Sequence, residues 1–309
     1  MKYRTLNIFI FAHSRRKYIH RILQELVQVD SDVLMEIKVV ILIDHLGQSG
    51  LLPIIRLLKN SGVKYSVIAR RRYLDKSRVM SRSKSRLIMK LDEDIFMTTA
   101  VWERFLRDCF EDMPLQSVLA PVISSGIPGV EPFLTSFSDQ AFAIQFRKKL
   151  GQVKIPNSWG ANYESLIGKY DSESQEEFFA AVNDINHHYK GVHPLRFSEE
   201  LQRELVNQIL KNASWRKPLE TGERTEFNSF PYFCNSAFVT SASVYREVIE
   251  GVDKGIYFTD GFDEVALNQY LERRGRPLIF NGATAAIHPS YNTIGANYVA
   301  ISDHFFGSI

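Results

Sequence analysis

Cysteine is scarce in this sequence, which has Cys109 and Cys234 among its 309 residues. The two are far apart along the chain and match neither a metal-binding nor a redox spacing. No apolar run approaches the roughly 20 residues that a membrane-spanning helix needs. The N-terminal segment has a short apolar run and then basic residues, without the small-residue cleavage pattern of a signal peptide. We therefore expect a reduced, cytoplasmic protein with no membrane span.

Glycine-rich phosphate-binding loops are missing as well. The sequence has no G-x-x-x-x-G-K-[ST] loop, and no G-x-G-x-x-G follows its first predicted strand. Such loops bring backbone N–H groups close to the phosphates of a nucleotide. Their absence argues against P-loop nucleotide hydrolases and against dinucleotide-binding enzymes.

The overall composition is that of a globular protein. Hydrophobic residues make up 45% of the sequence and charged residues 24%, so the chain can bury a sizeable core. A length of 309 residues suits one large domain or two small ones. The formal net charge of +3 is too small to indicate a partner. The positions of the basic residues therefore matter more than their number.

Strand-like and helix-like segments alternate in the N-terminal part of the chain. Apolar runs of strand length include residues 6–13, 37–44 and 86–95, and helix-like segments separate the strands. Alternation of this kind predicts an α/β fold with a mixed, mostly parallel sheet flanked by helices.

The pattern changes between residues 126 and 230, where Pro and Gly punctuate the chain and polar, helix-like segments follow. We interpret this block as a mainly helical insertion. Strand and helix patterns return afterwards. We thus expect a first half over residues 1–125, the insertion over 126–230, and a C-terminal part over 231–309 that completes the first half.

Residues with functional potential stand at the ends of the predicted strands. Ala12 and His13 end the first strand, Asp44 ends the second, and three acids at 92–94 stand near the end of the strand "RLIMKLDEDI". Ligands of open α/β sheets bind beyond the carboxyl ends of the strands. We therefore expect these residues to line one crevice.

The three consecutive acids at 92–94 allow two interpretations. They either lie in water at a turn after the strand or bind a cation. In a turn, Asp92 and Asp94 can face one point, and their hard oxygen atoms suit Mg²⁺ or Mn²⁺. Alternation along the strand places Glu93 on the other side. Glu93 is therefore the acid least expected to contact metal.

Several segments occur in the order found in a known family. The segments "IFIFAHSRRKYIHRILQEL", "KVVILIDHLGQSG" and "IMKLDEDIFM" resemble parts of GT-A-fold nucleotide-sugar glycosyltransferases of the family 2 type. These parts are the first strand and helix, the second-strand aspartate and the D-x-D strand. Further on, "GFDEVALNQYLERRG" resembles that family's acidic pair at a helix start, and "PLIFNGATAAIHPS" resembles the following strand and its histidine. The resemblance implies a GT-A fold.

The same resemblance implies an activity. It implies a metal-dependent, inverting glycosyltransferase that moves a hexosyl or pentosyl unit from a nucleotide-sugar donor to a hydroxyl of a glycan or another biomolecule. Asp44 would contact the nucleobase or ribose. Asp92 and Asp94 would bind Mn²⁺ or Mg²⁺ and the pyrophosphate of the donor, with His288 as a further metal or phosphate ligand.

The general base would be Asp263 or Glu264. This chain has Asp before Glu where the family usually has Glu before Asp, so both residues stay candidates. Acceptor choice would reside in the inserted block at 126–230.

A basic run covers residues 69–86 and contains eight Arg or Lys residues, with Asp75 as its one acid. The simplest interpretation is a solvated loop and helix. Because the run directly precedes the acidic strand, some of its cations are candidates for contact with the diphosphate of the donor. The candidate donor-binding residues are Ala12, His13, Arg15, Asp44, Arg78, Arg82 and Asp92.

Eight cations exceed what one diphosphate needs, so an anionic acceptor stays open. Two alternatives follow from the basic run. One is a glycosyltransferase that acts on hydroxylated bases of DNA. The other is a non-catalytic nucleic-acid-binding protein on a GT-A-like scaffold.

Overall fold

The computed structural model describes residues 5–13, 16–44, 50–111, 113–124, 130–153, 194–219, 224–227, 236–257, 264–290 and 298–309. The chain divides into two compact units. The first contains Met1–Pro121, Lys217–Asn228 and Asn235–Ala286, and the second contains Val122–Arg216, Ser229–Cys234 and Ile287–Ile309.

One mixed sheet connects the described strands. They are β1 (Leu6–Phe11), β2 (Ile37–Ile43), β3 (Lys64–Ala69), β4 (Leu87–Asp92), β5 (Val118–Ile123), β6 (Arg224–Phe227), β7 (Ala237–Ser241) and β8 (Leu278–Ala286). Their order in the sheet is β3-β2-β1-β4-β7-β5-β8-β6. Strands β1 to β4 pair in parallel, and β7 runs antiparallel to both β4 and β5. Strands β1 to β5 therefore share one direction.

Helices flank this sheet and connect its strands. The described helices are α1 (Arg16–Leu26), α2 (Ser31–Met35), α3 (Leu51–Asn60), α4 (Tyr73–Ser81), α5 (Thr99–Glu111), α6 (Val130–Phe137), α7 (Gln140–Leu150), α8 (Glu199–Lys211), α9 (Ala242–Asp253), α10 (Glu264–Arg274) and α11 (Tyr298–Ser308). The predicted α/β fold with a mixed, mostly parallel sheet flanked by helices is confirmed. Among the helices just given, none is long and apolar enough to cross a membrane.

The core follows from continuous apolar runs in the central strands. Ile8 and Ile10 on β1 and Val39 and Ile41 on β2 have no exposed surface. Strands that are covered on both faces carry such runs instead of alternating with polar residues. Each fully buried side chain of this size contributes about 1.5–3 kcal/mol of transfer free energy. The apolar runs thus hold β1 and β2 at the centre of the parallel part of the sheet.

The described helices of the second unit pack around aromatic side chains. The Trp215 indole is buried, and its N–H donates a hydrogen bond of 2.7 Å to the carbonyl of Ile209 at the end of α8. The Trp215 ring lies 5.9 Å from that of Phe305 on α11, between centroids. These contacts join α8 to α11.

Candidate active site

The carboxyl ends of β2, β1 and β4 lie side by side in the first unit. Phe11 at the end of β1 is opposite Leu42 on β2 and Asp92 on β4. The next residue, Ala12, donates its backbone N–H to the Leu42 carbonyl at 2.9 Å. Asp44 follows two residues after Leu42. The structure therefore places Ala12 between the strand ends that carry Asp44 and Asp92, as the strand-end pattern predicted.

A buried lysine holds Asp44. Lys76, near the start of α4, has its ammonium 2.8 Å from Asp44 Oδ1 and donates a hydrogen bond of 2.9 Å to the Ala12 carbonyl. The Lys76 side chain is 0% exposed and that of Asp44 is 28% exposed. Oδ1 is buried, and no described group meets it with hydrogen-bond geometry. Its contact with the Lys76 ammonium is therefore an ion pair. The exposed surface of Asp44 belongs to its other atoms.

A second buried lysine holds Asp92. Lys90 precedes Asp92 by two residues on β4, so both side chains lie on the same face of the sheet. The Lys90 ammonium is 3.3 Å from Asp92 Oδ1, and the two side chains are 0% and 29% exposed.

Two aromatic rings cover the Lys90 ammonium. It lies 5.4 Å from the centre of the Phe11 ring and 5.1 Å from that of Tyr73, the first residue of α4. The two rings are 4.9 Å apart. Ring faces attract a cation, and the attraction grows when water is excluded. Phe11 and Tyr73 therefore help to stabilise a charge that has no contact with solvent.

Lys76 and Lys90 were not predicted as site residues. The sequence carried one signal, since Lys90 is the single charged residue inside the apolar run "LIMKL". A charge within a strand of this kind indicates a buried counter-ion. Lys76 gave no comparable signal because it stands in the basic run.

The acids after β4 form a turn. The strand ends at Asp92, and the Ile95 N–H contacts the Asp92 carbonyl at 3.3 Å. Alternation therefore does not extend to Glu93 and Asp94, which are both mostly buried. Glu93 Oε2 accepts a hydrogen bond of 2.9 Å from the backbone N–H of His13. This contact ties the segment after β1 to the acidic turn, a role that the sequence pattern did not indicate.

His13 stands next to Asp44. Its Nδ1 lies 3.7 Å from Asp44 Oδ1, and its side chain is 51% exposed. The predicted donor-binding residues Ala12, His13, Asp44 and Asp92 thus lie around three neighbouring strand ends of one unit.

The predicted metal ligands can be described singly. Asp92 and Asp94 belong to the acidic turn of the first unit. His288 follows β8 in the second unit, where its backbone N–H donates to Ser124 Oγ at 3.0 Å. Across the residues that the structure describes, no group of three or more His, Cys, Asp or Glu side chains could hold a metal ion. Carboxylate oxygens suit Mg²⁺ or Mn²⁺, but further ligands would have to come from water and from a diphosphate. The assignment of Asp92, Asp94 and His288 as metal ligands stays a prediction.

The remaining predicted residues fall into two groups. Arg15 and Asp263 lie outside the described residues, and Glu264 is the first residue of α10. Arg78 contacts Asp253 on α9 at 2.8 Å and Asp75 at 3.0 Å. The hydrogen bond with Asp253 is the largest cause that raises the pKa of Arg78 above its ordinary value. The Arg78 charge is thus already offset by two carboxylates.

The basic run divides between the two ends of the parallel strands. Arg70 follows β3, and its N–H donates to the Ile43 carbonyl at 2.7 Å, close to Asp44. Arg86 precedes β4, and its N–H donates to Thr5 Oγ1 at 3.3 Å, just before β1. Arg82, the C-cap of α4, lies at this second end too, since the next residue, Ser83, accepts a hydrogen bond of 2.9 Å from Asn7 on β1. The two ends of the run therefore lie at opposite ends of the parallel strands, with Arg82 at the end away from Asp44 and Asp92.

Asp108, another buried acid of the first unit, makes contacts that connect structural elements. Asp108 on α5 contacts Arg104 Nε at 3.0 Å and accepts a hydrogen bond of 2.5 Å from Asn281 on β8. Burial raises the pKa of the neighbouring Cys109 thiol well above its ordinary value. These groups join α5 to β8, and the Cys109 thiol is poorly suited to reactivity.

No protein-family model matches the sequence, and no curated protein matches it. Solved structures that match include the mannosyltransferase PcManGT from Pyrobaculum calidifontis in complex with GDP-Man and Mn²⁺. The match has 10% sequence identity and a TM-score of 0.48, and it covers 93% of this chain and 57% of that one. The chain thus spans a little over half the length of that protein, and a similarity at this identity concerns the fold alone.

Proposed function

We propose that this chain is a glycosyltransferase that moves a sugar from a nucleotide-sugar donor to an acceptor hydroxyl. One observation supports the proposal above all: Asp44 directly follows β2 and Asp92 ends β4, the strands on either side of β1, and Ala12 lies between them. The carboxyl edge of a parallel sheet is where such folds bind nucleotides. The resemblance to GT-A glycosyltransferases predicts donor contacts for these same residues.

Asp44 is proposed to bind the nucleoside part of the donor. Its half-buried carboxylate can accept hydrogen bonds from ribose hydroxyls or from a base N–H. Lys76 offsets its charge from the buried side, and His13 stands at the exposed side.

Asp92 and Asp94 are proposed to hold Mg²⁺ or Mn²⁺ together with the diphosphate, with His288 as a further ligand. When bound, such an ion offsets the negative charge that develops on the nucleoside diphosphate as it leaves. Lys90 holds one oxygen of Asp92 on the buried side. Glu93 accepts the His13 N–H and so is proposed to shape the segment under the donor.

The acceptor hydroxyl needs a base. We assign this role to Asp263 or Glu264, which would take the hydroxyl proton as the new bond to the anomeric carbon forms on the side opposite the leaving group. A single displacement of this kind inverts the anomeric carbon. The block at 126–230 is proposed to select the acceptor.

A panel of nucleotide sugars tests the proposal. Thermal unfolding is recorded with each donor in the presence of Mn²⁺ or Mg²⁺, and at least one donor should raise the Tm. Asp44→Asn and Asp92→Asn should reduce that shift. Asp32→Asn, a matched change at an exposed acid of α2, should retain it. If no donor shifts the Tm of the wild-type chain, the proposal is wrong.

Activity separates an enzyme from a binding protein on the same scaffold. The wild-type chain should slowly hydrolyse the donor that it binds, because water can replace the acceptor. Asp94→Ala should abolish this metal-dependent hydrolysis. A chain that binds the donor without hydrolysing or transferring the sugar would instead be a non-catalytic binding protein. The division of the basic run gives no structural support to a nucleic-acid substrate.

A further inference from the structure

We propose that Lys76 and Lys90 are positioning residues of the donor site. Each ammonium holds one oxygen of a partner carboxylate on the buried side, so that the exposed part of the carboxylate is fixed in the direction of the ligand. The carboxylates are those of Asp44 and Asp92. The inference rests on the proposed function, since it assumes that these carboxylates face a nucleotide.

Burial is the first argument. Lys76 and Lys90 are both 0% exposed, whereas the carboxylates that they contact are 28% and 29% exposed. An ammonium that is removed from water costs several kcal/mol unless an opposite charge or strong acceptors compensate. Each lysine therefore depends on its carboxylate. Neither lysine can contact a ligand from this position, so both act through the acids.

The surroundings of each ammonium fix its direction. Lys76 is held between the Ala12 carbonyl at 2.9 Å and Asp44 at 2.8 Å, which ties α4 to the ends of β1 and β2. Lys90 extends from the rigid strand β4 and is covered by the rings of Phe11 and Tyr73. A charge that is fixed in this way also fixes the rotation of the carboxylate beside it.

Helix α4 links the two arrangements. Tyr73, which covers Lys90, and Lys76, which pairs with Asp44, are three residues apart on the helix and so share one face. One face of α4 thus supports both carboxylates, and loss of either lysine should weaken ligand binding through the paired acid.

A double-mutant cycle in ligand affinity tests the inference. Calorimetric titration of UDP, GDP, ADP, CDP and dTDP with Mn²⁺ first identifies a nucleoside diphosphate that the wild-type chain binds. Lys90→Met and Lys76→Met should each weaken its binding by about 10-fold or more, as loss of supporting contacts does around metal-bound carboxylates. The double variant Lys90→Met/Asp92→Asn should bind no more weakly than Asp92→Asn alone. The corresponding cycle of Lys76 with Asp44 should behave in the same way.

Controls separate positioning from general damage. Lys254→Met removes an exposed lysine that pairs with Glu250 at 3.9 Å, and it should leave affinity unchanged. Leu106→Ala removes a fully buried side chain of α5, so it should lower stability but retain affinity. Where a Met variant does not fold, Lys→Gln at the same position keeps a polar side chain without the charge.

The outcomes distinguish the two proposals. If the wild-type chain binds none of the nucleotides, both the donor site and the positioning role are wrong. If it binds one and the lysine variants bind it equally well, or if the losses in the double variants add, the positioning role alone is wrong. An equal loss in Leu106→Ala would also overturn it, because instability alone would then explain the effect.

Discussion

The ammonium of Lys76 lies 2.8 Å from the carboxylate of Asp44, and of the two side chains only the lysine is fully buried. Replacement of Asp44 alone should therefore lower the free energy of unfolding more than replacement of both residues. We expect Asp44→Asn to lower the free energy of unfolding by ~1–3 kcal/mol, less than for a fully buried pair because Asp44 meets solvent.

The double variant Asp44→Asn/Lys76→Met should recover part of that loss, since no uncompensated charge remains. Urea unfolding of the wild-type chain and the two variants measures both effects. Equal stability of Asp44→Asn and the wild-type chain would show that the Ala12 carbonyl and other groups suffice for the ammonium.

The Glu93 carboxylate accepts the backbone N–H of His13 at 2.9 Å and is mostly buried. Glu93→Ala leaves this N–H without its acceptor, which should cost ~1–3 kcal/mol. Hydrogen exchange of the His13 amide should become faster in the variant. Glu93→Gln, which retains a carbonyl oxygen, should show a smaller change. Unaltered exchange in Glu93→Ala would mean that the segment after β1 is held by other contacts.

Gly251 on α9 packs against the ring of Tyr257. A Cβ at Gly251 would lie 2.2 Å from Tyr257 Cδ2, so the ring would have to move. We expect Gly251→Ala to lower the free energy of unfolding by ~1–3 kcal/mol, because overpacking forces side chains out of their preferred positions. Thermal and urea unfolding measure the change.

Gly307 on α11 provides the matched control. Apart from the adjacent residues and the helix's own backbone, no atom of the described residues lies within 4 Å of a Cβ at this position. Gly307→Ala should leave stability unchanged or raise it by up to ~1 kcal/mol, because alanine loses less backbone entropy in a helix. A similar loss in both variants would indicate that the helix backbone, and not Tyr257, is responsible.

Tyr270 should make stability depend on alkaline pH. Burial, with a hydrogen bond of 2.9 Å to Glu247, raises the pKa of Tyr270 to about 12. In the unfolded chain the pKa is about 10. A raised pKa favours the neutral phenol in the folded state, so the contribution is complete below about pH 10 and is lost as the pH rises toward about 12.

Comparison with Tyr270→Phe isolates this contribution. The difference in unfolding free energy between the wild-type chain and the variant should decline across that pH range, as measured by urea unfolding at several pH values. The neighbouring charges on Glu247 and Arg274 are the same in both proteins. A difference that does not change with pH would contradict the raised pKa.

Much of the architecture could be predicted from local patterns. Short segments predicted β1 from its apolar run, α1 from its helical spacing, and the end of β2 just before Asp44. The structure contains all three elements at these positions. Since parallel strands align their carboxyl ends, the grouping of Ala12 with Asp44 and Asp92 followed as well. The predicted alternation through Glu93 and Asp94 was wrong because β4 ends at Asp92 and a turn begins.

The patterns along the chain therefore determined the α/β fold and the strand ends that carry the acids, because hydrophobic periodicity is a local property. The tertiary structure decided which charges meet. Lys76 reaches Asp44 only because α4 packs beside the ends of β1 and β2. The Lys90 ammonium contacts the rings of Phe11 and Tyr73 only because β1 and α4, which are distant along the chain, both pack beside it. It also separated Arg70 from Arg86 at opposite strand ends, although both belong to one basic run. Ion pairing depends on distances across the fold, which spacing along the chain does not contain.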